Sequence, residues 1–188
     1  MSSVVTTKRV ALASILLALD VAIAPFIWFP FMGSKAFPGQ HLINAISAIY
    51  LGPWWAAFIA IMAGTIRIGL GVGTIYAYPG GIFGGIVVGY IYKFLRRIMS
   101  ERRALLAALT EPIGTLFIGA PLALFIISPV APTFEQPQIA IKPEGMLITL
   151  LYLWIGWSVS TISGSILAYF VLNLLYSYGL SREEIFGE

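Results

Sequence analysis

The segment 146–176 reads MLITLLYLWIGWSVSTISGSILAYFVLNLLY and contains no Asp, Glu, Lys or Arg. It is longer than the roughly 20 apolar residues with which an α-helix crosses the hydrocarbon core of a bilayer. Other apolar runs recur through the chain, in which 59% of the 188 residues are hydrophobic and 10% are charged. The sequence therefore predicts an all-α integral membrane protein, without a polar stretch long enough to fold as a separate soluble domain.

Six transmembrane helices are predicted, and they form a single domain over residues 1–188. Their approximate limits are 8–29, 41–51, 53–71, 80–95, 104–127 and 146–176. The second is short for a bilayer crossing, so it must be tilted, re-entrant or extended by its flanks, whereas the sixth is long enough to leave the bilayer or to break. No cleavage site follows Lys8 and Arg9, so the first apolar run is interpreted as a membrane helix and not as a signal peptide.

The basic residues orient the predicted helices. Five of them crowd the connection between the fourth and fifth helices: Lys93, Arg96, Arg97, Arg102 and Arg103. The positive-inside rule places this connection, and with it both termini, on the cytoplasmic side. The outer side then receives the connection around Lys35, the GTIYAYPGG segment 73–81 and the proline-rich segment 129–145. The last of these either folds over the surface as a lid or is a plain connector.

Three ionisable residues, Asp20, Arg67 and Glu111, lie well inside predicted helices. A charge at the centre of a bilayer costs at least ~2.5–3.5 kcal/mol, so each needs a partner, a water-filled cavity or a neutralising proton. Arg67 paired with Asp20 or Glu111 would merely join helices, whereas the same groups facing a cavity would contact a solute. Glu111 precedes Pro112, which deprives the carbonyl of Ala108 of its usual helical donor and makes this position polar.

The first predicted helix carries a stripe of small residues: Ala11, Ser14, Ala18 and Ala22. At about 100° per residue they lie within about 80° of one another, and Asp20 lies on the opposite side. If Asp20 points into the bundle, the stripe points outward and permits close approach of a partner protein; packing against another helix of the same chain fits the spacing as well. In the fourth helix, Gly81, Gly85 and Gly89 predict close helix packing.

Several function classes lack the residues that they require. The chain has no cysteine, which excludes disulfides and thiolate chemistry. The glycines of GLGVGT are not followed by the Lys of a phosphate loop, so no ATP site is predicted. One histidine without a metal-binding spacing, and the absence of a nucleophile elbow, predict neither a metal site nor an enzyme. The net charge of +3 comes from the clustered basic residues and indicates orientation, not nucleic-acid binding.

Polar and aromatic residues share one level near the predicted outer side. Gln40, His41 and Asn44 follow Lys35, and the rings of Phe37, Tyr76, Tyr78 and Trp154 lie at similar depth. Flat faces with a few hydrogen-bonding groups suit a neutral heteroaromatic ligand, although Tyr and Trp are also usual at membrane interfaces. We predict a solute pocket formed by Lys35, Phe37, Gln40, His41, Asn44, Arg67, Tyr76, Tyr78, Glu111 and Trp154.

Three stretches resemble the ThiW family: AFPGQHLINAISAIYLGPWWAAFIA at 36–60, GTIRIGLGVGTIYAYPGGIFGGIVVGYIY at 64–92 and EPIGTLFIGAPLA at 111–123. Members of this family are substrate-binding S components of energy-coupling factor (ECF) transporters for hydroxyethylthiazole, the thiazole precursor of thiamine. The resemblance covers about 8–124, and the proline-rich segment and last helix match only in general character.

The resemblance implies a six-helix S component in the plasma membrane of a prokaryote, with a pocket beneath its outer connections. It implies that the stripe docks on a transmembrane coupling protein, and that two cytoplasmic ATPase subunits use the ATP, so that the chain itself needs no cofactor. The S component is expected to topple in the membrane and carry its solute inward. Alternatives are an S component for thiamine or another small vitamin, a structural membrane subunit whose polar residues only hold helices together, and, with least support, a membrane enzyme.

Overall fold

The computed structural model describes residues 3–32, 34–131 and 145–187. These residues are mostly helical, as predicted, and they also contain one short antiparallel β-hairpin. In chain order the elements are α1 (Ser3–Ile23), β1 (Phe29–Phe31), β2 (Ser34–Ala36), α2 (Pro38–Leu51), α3 (Pro53–Gly69), α4 (Ala77–Ile98), α5 (Glu101–Ile127), α6 (Met146–Ser177) and α7 (Arg182–Phe186). Residues 132–144, which contain most of the segment predicted to form a lid or connector, lie outside the described residues.

The short second helix is the centre of the bundle. All 14 residues of α2 except Leu42 are buried, and the helix packs against α1, α3, α4 and α6. Pro38 occupies the first turn, where its missing N–H removes no helical hydrogen bond. This helix begins at Pro38, three residues before the predicted start at about residue 41. Its length is about 21 Å at 1.5 Å per residue, which is less than the thickness of a bilayer core.

The first helix ends earlier than predicted. We expected it to continue to about residue 29, but α1 ends at Ile23 because Pro25 has no N–H to donate and disfavours a helical conformation before it. The chain then turns into the hairpin, in which Phe29 pairs with Ala36 and Phe31 pairs with Ser34. This hairpin was not predicted, and it brings Lys35 and Phe37 to the same end of the bundle as the start of α2.

Glycines let α4 approach its neighbours closely. A Cβ at Gly89 would lie 2.6 Å from the backbone nitrogen of Pro53, and a Cβ at Gly85 would lie 2.9 Å from Cβ of Ala56. Both contacts are too short for carbon, so α3 and α4 can pack at this distance only where side chains are absent. On another side of α4, a Cβ at Gly84 would occupy the space of the Glu111 carboxylate.

The fifth helix is continuous but irregular. Pro112 cannot donate to the carbonyl of Ala108, and the N–H of Glu111 donates to that carbonyl instead, within a 3-10 segment. The carbonyl that we expected to lack a donor is therefore satisfied. Further on, the helix widens into π-helical turns at Thr115–Gly119 and Ala123–Ile127. Irregularity of this kind follows from prolines within a helix.

Two helices of the described chain, α5 and α6, are long and apolar enough to cross a membrane. Only 39% of the apolar window of α5 and 33% of that of α6 are buried by the rest of the chain. The larger part of each window is thus not buried by the rest of the described chain, as expected for helices that face lipid. The helix α6 extends over 32 residues without the break that we considered.

Basic residues collect at the end of the bundle where α1 begins and α4 ends. There α7 is held by several contacts: Lys8 Nζ donates to the carbonyl of Ile185 at 2.8 Å, Arg96 pairs with Glu183, and the N–H of Arg182 donates to the buried Glu101 carboxylate at 2.9 Å. The C-terminal segment therefore covers this end, and the opposite end, where α2 begins, is left to the hairpin.

Candidate functional site

A cavity of about 780 Å³ lies between the hairpin, the start of α2, the end of α3 and the middle of α6. Its volume is within the range of roughly 300–1,000 Å³ that small-molecule pockets occupy. The polar side chains that line it are Lys35, Gln40, His41, Arg67, Thr74, Thr115 and Ser160. The aromatic side chains that line it are Trp28, Phe31, Phe37, Tyr76 and Trp157.

Arg67 forms one side of the cavity and is 5% exposed. Its Nη1 donates to the side-chain oxygen of Gln40 at 2.8 Å and lies 3.6 Å from Oδ1 of the fully buried Asp20. Its guanidinium also lies over the ring of Phe37, 4.0 Å from the centroid. The amide nitrogen of Gln40 donates in turn to the carbonyl of Ala77 at 3.0 Å, so this chain of contacts joins α1, α2, α3 and α4.

Glu111 is the centre of a second polar network beneath the cavity. Its Oε1 lies 2.8 Å from Nδ1 of His41, 2.9 Å from the hydroxyl of Thr115 and 3.5 Å from the amide nitrogen of Asn44. Thr161 donates to the other oxygen, Oε2. The carboxylate is fully buried and engaged from α2, α5 and α6, and only His41 and Thr115 of this network also line the cavity.

The structure brings most of the predicted pocket residues together. Six of them line the cavity: Lys35, Phe37, Gln40, His41, Arg67 and Tyr76. Asn44 and Glu111 lie in the network beneath it. Of the two possible helix-joining pairs considered for Arg67, the pair with Asp20 is present, and Glu111 pairs with His41.

Two predicted pocket residues lie elsewhere. Tyr78 lies in the first turn of α4, and its hydroxyl is 2.9 Å from that of Thr65 on α3. Trp154 donates from Nε1 to the carbonyl of Leu116 at 2.8 Å and packs edge-on against Phe117. Both side chains therefore face neighbouring helices and not the cavity. The depth of a residue in the bundle, which the prediction used, does not show which way its side chain faces.

Six polar or aromatic residues that line the cavity were not predicted: Trp28, Phe31, Thr74, Thr115, Trp157 and Ser160. Trp157 lies three residues after Trp154 on α6, and of the two rings only that of Trp157 lines the cavity. Ser160, a further three residues on, accepts the backbone N–H of Phe37 at 2.8 Å and fixes the hairpin to α6. The spacing of Trp154, Trp157 and Ser160 indicates a shared helix face, but it does not show which end of that face meets the cavity.

The small residues of α1 lie on the outside of the bundle. Ala11, Ser14, Ala18 and Ala22 are all exposed, whereas Asp20 on the opposite face is buried. Ser14, Ala18 and Ala22 also line a shallow groove of about 400 Å³ beside Ile66 of α3. In the described chain, the stripe of α1 is therefore left exposed, with Ile66 of α3 beside it.

The cavity suits binding and offers no catalytic or metal-binding group of residues. Within residues 3–32, 34–131 and 145–187, no cluster of His, Asp and Glu has the geometry of a metal site. The carboxylates of Asp20 and Glu111 stand behind the wall, and the groups on the wall are hydrogen-bond donors, hydroxyls and rings. Such a site can orient a small flat molecule by stacking and hydrogen bonding.

Comparison with known proteins identifies the family. The family model for ThiW, described as a thiamine-precursor transporter protein, matches residues 10–178. The match extends through α6, beyond the limit near residue 124 that the sequence resemblance indicated. No curated protein and no solved structure matches the chain. The chain therefore belongs to the ThiW family of thiamine-precursor transporter proteins, which are membrane transporters of a small molecule and not enzymes.

Proposed function

We propose that this chain is the substrate-binding S component of an ECF transporter and that its cavity binds hydroxyethylthiazole. The observation that carries the proposal is the combination of an aromatic wall and hydrogen-bonding groups in one cavity. Trp157 lines the cavity and makes no ring–ring contact with another aromatic residue of the described chain, so it is the ring proposed to contact the thiazole. Gln40, His41 and Ser160 lie around the same space and suit the hydroxyl group and the ring nitrogen.

The charges of the cavity favour a neutral thiazole over thiamine. Thiamine carries a positively charged thiazolium, which in a buried site needs a nearby carboxylate or several open aromatic faces. No Asp or Glu is among the described residues of the wall, and the rings of Trp28 and Phe37 are already in contact with Lys35 and Arg67. A thiazolium would also be repelled by these two cations.

In the membrane, α1 to α6 are proposed to be the six crossings of a single domain that spans residues 1–188. The basic end, with Lys8, Arg96 and α7, then faces the cytoplasm by the positive-inside rule, together with both termini. The cavity at the opposite end opens to the outside of the plasma membrane of a prokaryote. This orientation supports uptake, since the site for the solute is presented where the solute arrives.

The exposed stripe of α1 is proposed to dock on the transmembrane coupling protein of the complex. Its four small side chains permit close approach of a partner helix, and no other described helix of the chain occupies that face. Two cytoplasmic ATPase subunits would supply energy, so the chain itself needs no cofactor. The chain is also proposed to bind no nucleic acid. The S component would topple on docking and release its solute inward.

A binding titration tests the proposed solute. Purified protein in detergent is titrated calorimetrically with hydroxyethylthiazole, thiamine and the pyrimidine precursor of thiamine. We expect hydroxyethylthiazole to bind at least about tenfold more tightly than thiamine, because one uncompensated buried charge outweighs the extra contacts of the larger ligand. Tighter binding of thiamine would replace the proposed solute, and binding of none of the three by folded protein would contradict the assignment of the cavity.

A further inference from the structure

Two cationic side chains line the cavity, and no Asp or Glu is among its described lining residues. Lys35 and Arg67 both line it, and neither donates a hydrogen bond to a carboxylate within the described parts of the chain. Lys35 belongs to β2, and its Nζ lies over the ring of Trp28, 4.7 Å from the centroid. An ammonium group placed at the mouth of a pocket and held by an aromatic face keeps its hydrogen bonds for water or for a ligand.

Arg67 retains most of its hydrogen-bonding capacity although it is almost fully buried. Its guanidinium makes one hydrogen bond among the described residues, to Gln40, and its buried Nε has no partner there. At 3.6 Å, Asp20 Oδ1 is too far for a hydrogen bond, and neither oxygen of Asp20 has a hydrogen-bond partner in the described chain. Asp20 therefore offsets the charge of Arg67 without using its donors.

The carboxylates nearest to the cavity do not line it. Asp20 lies behind Arg67 and is not on the wall, and Glu111 is engaged by His41, Thr115, Asn44 and Thr161. Thr115 and Ser160 add hydroxyl groups to the wall itself. The fork of donors on arginine matches the paired oxygens of a carboxylate or phosphate, which a neutral alcohol cannot use fully.

We propose that the cavity recognises thiazoles whose side chain ends in an acidic group, a carboxylate or a phosphate monoester, with Arg67 and Lys35 as the groups that bind it. This proposal rests on the proposed function and extends its substrate class from the neutral alcohol to acidic thiazole derivatives. The ring would stack on Trp157, and the acidic group would reach the donors of Arg67 and, at the mouth, the ammonium of Lys35. The volume of about 780 Å³ leaves room for the larger derivatives.

A matched pair of ligands tests the proposal. The first is hydroxyethylthiazole, and the second is the thiazole acetic acid in which a carboxylate replaces the terminal hydroxymethyl group; the phosphate monoester of the alcohol is a third probe. We expect each acidic probe to bind at least about tenfold more tightly than the alcohol in dilute buffer, because a charge-assisted hydrogen bond is about twice as strong as a neutral one. The advantage should shrink as salt is raised, since ions screen the attraction.

Two variants assign the preference to the named residues. Lys35→Gln alters an exposed side chain and should lower the ratio of the affinity for the acids to the affinity for the alcohol several-fold. Asp20→Asn removes the charge behind Arg67 and should raise the affinity for the acids, a direction that a purely structural role of Asp20 does not produce. The thermal unfolding midpoint in detergent serves as the control for correct folding of both variants.

The outcomes separate this inference from the proposed function. If the alcohol binds and the acids bind no more tightly, the acidic substrate class is wrong and the proposed function stands. If the acids bind more tightly but neither variant changes their advantage, the assignment to Arg67 and Lys35 is wrong. Binding of thiamine in preference to every thiazole probe would overturn both proposals.

Discussion

Glu111 shows at the scale of a single residue how this chain keeps a charged group inside an apolar bundle. Four polar side chains from three helices approach its two oxygens, and Gly84 of α4 leaves the space that the carboxylate fills. A buried charge is tolerated only when its hydrogen bonds are made. The network thus fixes the relative positions of α2, α5 and α6 directly under the cavity.

Replacing Glu111 with Met should destabilise the protein strongly. Met keeps much of the volume but removes both acceptor oxygens, which leaves His41, Asn44 and Thr161 without that partner. The free energy of unfolding should fall by at least about 2 kcal/mol, since each unsatisfied buried group costs ~1–3 kcal/mol. Glu111→Gln retains one acceptor oxygen and should lose less. Thermal unfolding in detergent measures both, and equal midpoints for Met and wild type would show that the network contributes nothing to stability.

Trp157 and Trp154 form a matched pair on one helix. Trp157→Ala should weaken binding of the thiazole ligand about fivefold to tenfold or more, because it removes an aromatic face worth ~0.5–1.5 kcal/mol in addition to buried area. Trp154→Ala should instead lower thermal stability, since its indole N–H bonds to Leu116 and its ring packs on Phe117. Calorimetric titration and thermal unfolding of both variants check this, and the reverse pattern would place the stacking face at Trp154.

At the scale of elements, the packing of α4 on α3 depends on missing side chains. Gly89→Ala should destabilise the protein by about 1–3 kcal/mol, the usual range for overpacking, because its Cβ would lie 2.6 Å from the backbone nitrogen of Pro53. Gly69→Ala is the control: a Cβ there meets nothing within 4 Å, and alanine favours a helix. Unfolding midpoints measure the difference, and equal midpoints would mean that α3 and α4 separate without cost.

The irregular α5 serves the site through its prolines. Pro112 shifts the hydrogen bonding of the preceding turn, and the π-helical turn at Thr115–Gly119 follows directly after Gly114. These changes occur where Glu111 and Thr115 enter the polar network. Local widening of a helix alters which side chains face inward, and π-helical turns are frequent at functional sites.

At the scale of the whole molecule, the described chain has one end with the cavity and one basic end, with the exposed stripe of α1 between them. Arg67 and Asp20 connect the cavity wall to α1, whose opposite face carries Ala18 and Ala22. The helix α1 therefore contacts the cavity wall through Asp20 on one face and carries the proposed docking surface on its other face. In the proposed uptake complex, the solute and the coupling protein would bind to separate surfaces.

Replacing Ala18 with Trp should block assembly with the coupling protein and leave solute affinity within about twofold, because the bulky ring prevents close helix approach on an exposed face. Ile162→Trp places the same side chain at a position of α6 that is 46% exposed and should leave assembly intact. Co-purification with the coupling protein and solute titration measure the two properties. Loss of solute binding in the Ala18 variant with assembly retained would contradict the docking role.

The sequence by itself determined the features that depend on local pattern and composition. Long apolar runs predicted the all-α class and the positions of most helices, because a run of sufficient length forms a helix when its apolar side chains are buried. The angle between Asp20 and the small residues of α1 fixed their opposite faces. The motifs around His41 and Glu111 carried the family resemblance, and six of the ten predicted pocket residues line the cavity.

Only the tertiary structure decided which residues meet. In the hairpin over 29–36, β1 pairs with β2, and the backbone N–H of Phe37 beside it donates to Ser160, 123 positions away. A contact over such a distance in sequence is not encoded in any local pattern. Trp154 and Trp157 are the same residue type and lie at similar depth in the sequence of α6. Only the packing of α6 on α5 shows that Trp154 bonds to Leu116 and that Trp157 lines the cavity. The sequence allowed Arg67 to pair with either Asp20 or Glu111. The packing of the helices brings Arg67 to Asp20 and brings Glu111 to His41.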